Sequence, residues 1–288
     1  MPLFAGTRQL SIHDGTQDIH FPVLVVYPTA SSAAPTPFGP YLLEVSPDAP
    51  IAEGRFPLVV ISHGSGGSHL LYRTIALHLA RHGYVVALPE HHRNNRLDNS
   101  LYGTVDNLVN RPHHVRLVLN AIAADPLFGP KVDSDNAAVI GHSMGGYTAL
   151  AIAGGKPWSK EGLPVEITPD PRVRALVLLA PATAWFKPED SLKQVTLPIL
   201  MLIGEHDDIT PQWHADLVLD QVPDRTRVIC RVIENAGHFS FLSPFPPKLL
   251  ASGLPPALDP EGFDREAFHE HMPEEIRRFL DQHLKPLE

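Results

Sequence analysis

Residues 137–153 leave this chain the least freedom. The apolar run Ala137-Ala138-Val139-Ile140 meets Gly141-His142-Ser143-Met144-Gly145 and continues as Gly146-Tyr147-Thr148-Ala149-Leu150-Ala151-Ile152-Ala153. That order predicts a buried strand, a sharp turn and a helix of small residues. A turn of this kind lifts the Ser143 hydroxyl clear of the backbone. Gly141 and Gly145 then have a steric reason, because side chains there would strike the neighbouring strand and helix. The helix that follows aims backbone N–H groups and its positive dipole end at any anion formed beside Ser143. Ser143 is therefore the candidate nucleophile.

The rest of the pattern repeats strand and helix. Thr7 to Ile12 and Ile19 to Tyr27 read as two strands joined around Asp14-Gly15, an antiparallel edge. Pro28 to Arg55 has no sustained period and reads as a surface excursion. Phe56 to Ser62 is a continuous apolar run suited to a central parallel strand, and a helix from about His69 to His82 and a strand from Tyr84 to Leu88 complete a βαβ unit. A further helix is expected from near Arg111-Pro112 to about Ala124. Strands follow at Val173 to Leu179, Leu197 to Ile203 and Arg227 to Ile233, and an amphipathic helix runs from roughly Asp264 to His283. No polar linker interrupts this alternation in 288 residues, so one α/β domain over 1–288 is expected, with room for small cap elements at 154–172 and 244–260.

Composition narrows the partners. A formal net charge of −9 with histidine neutral argues against nucleic acid or an anionic membrane, either of which needs a basic face. No segment approaches the ~18 apolar residues of a membrane span, and Met1 to Leu10 lacks a signal-peptide core, so a cytoplasmic protein with no integral membrane association is expected. The single cysteine, Cys230, forbids an intrachain disulfide. The pairs His91-His92 and His113-His114 invite a metal reading. Adjacent side chains diverge on a regular backbone, so no metal is expected at either pair.

Three polar loops follow three later strands, at Ser143, Asp207 and His238. The segments Gly-His-Ser-Met-Gly-Gly, Gly-Glu-His-Asp-Asp-Ile-Thr-Pro and Ala-Gly-His-Phe together resemble the α/β-hydrolase superfamily, over about Pro57 to Phe241. His63-Gly64-Ser65-Gly66-Gly67, Gly83-Tyr84-Val85-Val86 and Pro89-Glu90-His91 are similar to the dienelactone-hydrolase-like esterases that shade into the platelet-activating-factor acetylhydrolase-like group. Strict dienelactone hydrolases use a cysteine nucleophile where this chain has Ser143, which leaves serine-esterase chemistry standing.

The resemblance implies a mostly parallel central sheet of about eight strands, helices on both faces and an antiparallel amino-terminal edge. His238 can take the Ser143 proton as general base, and Asp207 can fix its tautomer. Asp207 rather than Asp208 has the family's spacing, three residues after Gly204 and four before Pro211. The oxyanion donors implied are the backbone N–H groups of Met144 and, by resemblance, Ser65. Trp185, just past a strand end, either lines a substrate pocket or packs beneath its loop. The expected activity is hydrolysis of a small carboxylic ester, short-chain acyl or aryl, without metal or organic cofactor. An amidase, thioesterase or lactonase would use the same residues, and a non-catalytic ligand-binding relative is the alternative of a different class.

Overall fold

The computed structural model describes residues 2–285. Its strands are β1 (Phe4–Asp14), β2 (Ile19–Thr29), β3 (Ala34–Phe38), β4 (Tyr41–Pro47), β5 (Phe56–Ser62), β6 (Val85–Pro89), β7 (Val132–His142), β8 (Val173–Leu179), β9 (Ile199–Gly204) and β10 (Val228–Ile233). They form one sheet in the order β10-β9-β8-β7-β5-β6-β2-β1-β4-β3. From β6 through β10 every neighbouring pair is parallel, whereas β2 runs antiparallel to both β6 and β1.

The ten strands exceed the eight expected from the sequence by β3 and β4, which lie inside the Pro28 to Arg55 stretch read as an irregular excursion. Tyr41, Leu43 and Val45 of β4 alternate inward against exposed neighbours, a period of two too short to stand out beside so many prolines. β3 carries Pro35 and Pro37 and tolerates them because it is the sheet edge, where a missing N–H breaks no second ladder.

The helices are α1 (Arg73–Arg81), α2 (Val105–Ala124), α3 (Met144–Ile152), α4 (Trp213–Gln221), α5 (Pro247–Leu250) and α6 (Arg265–Leu284). Because β5 is buried along its whole length, its alternate residues feed two cores. Leu58 and Val60 join α2, α3 and α4 on one face, while Val59 and Ile61 join α1 and α6 on the other. The amphipathic α6 therefore finds its partner in this same sheet, through Met272, Ile276 and Phe279.

Two helix starts differ from expectation. His69–Tyr72 is a short 3-10 turn capped by Ser68, and α1 begins only after it. α2 begins at Val105 rather than near Arg111, because the Thr104 side chain accepts the Asn107 N–H as a cap. Pro112 then lies inside the helix and cannot supply an N–H to the Leu108 carbonyl. The Tyr147 hydroxyl donates to that carbonyl instead, at 3.0 Å, so the helix continues through the proline.

Candidate active site

Ser143 joins β7 to α3 with φ 54° and ψ −117°, a strained conformation for a residue with a side chain. The turn closes only because its neighbours are glycine. A Cβ on Gly141 would stand 2.0 Å from the Gly145 carbonyl oxygen, and one on Gly145 would stand 1.9 Å from that of Ser62. α3 is buried on every side, which explains its run of small residues.

The Ser143 carbonyl accepts the N–H groups of Gly146 at 2.8 Å and Ala182 at 2.9 Å, holding the turn from within. Among the described residues, no protein acceptor takes the N–H of Met144 or of Ser65. Ser65 sits in the loop after β5, where the Gly67 N–H donates to the Gly64 carbonyl and keeps the loop tight. His63 is wholly buried, its Nδ1 bonded to the Gly64 carbonyl and its Nε2 accepting the His91 N–H. Burial and the nearby Arg111 push its pKa well down, so it is a neutral strut of this loop.

His238 follows β10 and lies 2.8 Å through Nδ1 from Oδ2 of Asp207, which follows β9. The Asp207 carboxylate is fully engaged. Oδ1 accepts the N–H groups of Ile209 at 2.9 Å and Thr210 at 2.7 Å, and Oδ2 also accepts the Thr210 hydroxyl at 2.7 Å. Burial alone would raise the Asp207 pKa. The bonds from His238 and Thr210 outweigh it and hold the carboxyl below its ordinary range, so the group is ionised. Asp208 is exposed and makes no bond to His238.

Two further groups brace this pair. Thr210 Oγ1 lies 3.1 Å from His238 Nδ1, and the fully buried Tyr72 hydroxyl receives the Gly64 N–H at 3.2 Å while standing 2.9 Å from Nδ1 of His142. The other nitrogen of His142, Nε2, donates to the His238 carbonyl at 2.9 Å. Burial drives His142 to a pKa of about 3, so a neutral imidazole ties the loop after β5 to the loop that carries His238. The sequence offered Thr210 within a motif already noticed. Tyr72 gave no signal, being 70 residues from the histidine it holds.

Ser143, His238, Ser65, Met144 and Trp185 line one cavity of about 770 Å3. Trp185 is half-buried and also meets Tyr147 edge-on at 5.1 Å, so lining the cavity and packing beneath its loop occur together. Phe245, Leu249, Leu254 and Pro256 extend the wall from the 244–260 loop, whereas the 154–172 connection adds only Lys160. Among the described residues, the wall holds no carboxylate. Of the histidine pairs, His91 and His114 meet with Nδ1 atoms 3.3 Å apart, while His113 turns away to Asp14.

A solved ferulic acid esterase from Streptomyces cinnamoneus superposes with a TM-score of 0.74, covering 99% of this chain and 90% of that one at 21% identity. The chain has the α/β-hydrolase fold. Within that fold, residues 34–113 match the family model described as platelet-activating factor acetylhydrolase, isoform II. Cutinase est1 of Thermobifida alba is 24% identical over 194 residues, and platelet-activating factor acetylhydrolase of Canis lupus familiaris is 26% identical over 157 residues. Those matches cover 66% and 39% of this chain, and they span 56% of the cutinase and 35% of the acetylhydrolase. Among the described residues, no helix of this α/β-hydrolase fold is long and apolar enough to cross a membrane.

Proposed function

We propose that the protein is a serine hydrolase of carboxylic esters, with Ser143 as nucleophile, His238 as general base and Asp207 as the orienting acid. The observation that carries this reading is the ionised Asp207 carboxylate bonded to His238 Nδ1 beside a strained serine facing the same cavity. The esterases and cutinases among its relatives support the same chemistry.

The carboxylate keeps the His238 proton on Nδ1, which leaves Nε2 free to accept one. Ser143 Oγ adds to the ester carbonyl carbon as its proton passes to Nε2. The carbonyl oxygen becomes an oxyanion bound by the N–H groups of Ser65 and Met144, whose freedom from protein acceptors supports that role. Collapse breaks the C–O bond to the alcohol, which leaves with the proton from Nε2. Water then adds to the acyl-enzyme, its proton passing to His238, and the second collapse returns that proton to Ser143 and frees the acid.

A cavity of about 770 Å3 with Trp185 and Phe239 in its wall suits an aryl or short acyl ester held whole. The 244–260 loop serves as a modest cap, and 1–288 works as a single catalytic unit. A fluorophosphonate should label Ser143 in the folded protein, and Ser143→Ala should abolish both labelling and p-nitrophenyl acetate hydrolysis. Retained turnover in that variant refutes the assignment. Faster cleavage of a matched anilide or thioester would move the activity to another acyl class on the same residues.

A further inference from the structure

Arg111 is wholly buried in α2, and among the described residues no carboxylate pairs with it. A guanidinium sealed from water without a counterion is expensive, and a chain keeps one only where something depends on it. Burial lowers its pKa to about 9, so it still carries its charge at neutral pH.

Its donors reach both sides of the oxyanion site. On one side Nη2 donates to the His63 carbonyl and Nη1 to the Asn94 side-chain oxygen, and Asn94 Nδ2 in turn donates to the Ser65 hydroxyl at 2.8 Å. On the other side Nε donates to the Thr148 hydroxyl at 3.1 Å, which itself donates to the Met144 carbonyl at 3.0 Å. One planar cation thus links the peptide unit just before the one that carries the Ser65 N–H, the Ser65 side chain, and the peptide unit just after the one that carries the Met144 N–H. We propose that Arg111 is a positioning residue that, with Asn94, sets the spacing and aim of the Ser65 and Met144 N–H groups on the developing oxyanion. This rests on the ester-hydrolase reading above.

The geometry explains why arginine stands there. A planar fork with five donors spans four acceptors at fixed angles, the fourth being the Ser62 hydroxyl at 3.4 Å from Nη2, which a lysine ammonium on a flexible stem cannot do. A carboxylate partner would satisfy the guanidinium but cancel its charge beside a forming anion. Asn94, Thr148, Ser62 and a backbone carbonyl satisfy it and leave the charge in force.

The test compares Arg111→Lys, Arg111→Met and Asn94→Ala with wild type. It measures kcat and KM on p-nitrophenyl acetate, the inhibition constant of phenylboronic acid, which forms a tetrahedral adduct on serine, and the melting temperature. Because the interaction matters most in the transition state, kcat should fall roughly 100-fold in Arg111→Met and about 10-fold in the other two, with KM within about twofold. Boronate affinity should fall in parallel with kcat. A merely structural role would lower the melting temperature and leave the kinetics of the folded fraction unchanged, and that result overturns the proposal. So does a loss confined to KM. If Arg111→Met fails to fold, Arg111→Lys and Asn94→Ala decide by the same readouts. A wild-type protein that neither hydrolyses esters nor binds the boronate removes the ester-hydrolase reading and this inference with it. An active wild type with unaffected variants removes this inference alone.

Discussion

Replacing Asp207 by asparagine separates charge from shape at the site. Oδ1 of Asp207 accepts two backbone N–H groups, from Ile209 and Thr210, so the asparagine carbonyl oxygen must take that position. Its NH2 group is then forced to the Oδ2 position, facing the Thr210 hydroxyl and His238 Nδ1. An NH2 can only donate there. Nδ1 must become the acceptor, the ring proton moves to Nε2, and the nitrogen that should receive the Ser143 proton is already protonated. A wrong tautomer of this kind costs about 1,000- to 10,000-fold in kcat, or about 4 to 5.5 kcal/mol of barrier. Stopped-flow release of p-nitrophenol at saturating ester measures kcat, and the rate of fluorophosphonate labelling reports Ser143 reactivity without turnover. Asp208→Asn is the control and should stay within about twofold of wild type, because Asp208 is exposed and unbonded to the histidine. An Asp207→Asn protein that keeps a tenth of wild-type kcat would refute the tautomer argument. A collapse in Asp208→Asn would move the acid to the neighbouring residue.

Gly145→Ala should be among the most damaging small changes in the chain. The new Cβ would stand 1.9 Å from the Ser62 carbonyl oxygen, backbone that cannot swing away, so a loss of about 3 kcal/mol or more is expected in urea unfolding. Asp14 supplies a pH signature away from the cavity. Burial would raise its carboxyl, but the Thr16 hydroxyl and N–H and the His113 ring outweigh it and take it down to about 2. A folded-state pKa below the unfolded one means stability that is fully present above about pH 4 and lost as pH falls toward 2. Asp14→Asn should therefore cost roughly 2 kcal/mol at pH 7, with the gap to wild type closing between pH 4 and pH 2 in urea titrations. A gap that stays constant over that range would rule out the carboxylate as its source.

The sequence by itself determined the strand-to-helix elbow at Ser143. Gly141, Ser143 and Gly145 are locally over-constrained: a serine raised on so sharp a strand-to-helix turn needs glycine two positions to either side, so the pattern is readable without any partner. Continuous apolar runs such as Phe56 to Ser62 were equally legible, because a strand covered on both faces has no polar side to show. β3 and β4 were not, since short strands set among prolines at the end of the sheet look like loops until a neighbour supplies their ladder. The start of α2 was missed for a related reason, as Pro112 reads as a helix start unless Tyr147 is known to satisfy the carbonyl it orphans. Around the site, the tertiary structure alone decided that Tyr72 and His142 tie the Gly64 turn to His238, and that Arg111 joins the His63 carbonyl and Asn94 to Thr148. Apart from the Gly64–Tyr72 and Asn94–Arg111 bonds, those contacts join residues tens of positions apart. Their geometry exists only once the sheet has set β5, β7 and α2 side by side, and no local spacing encodes it.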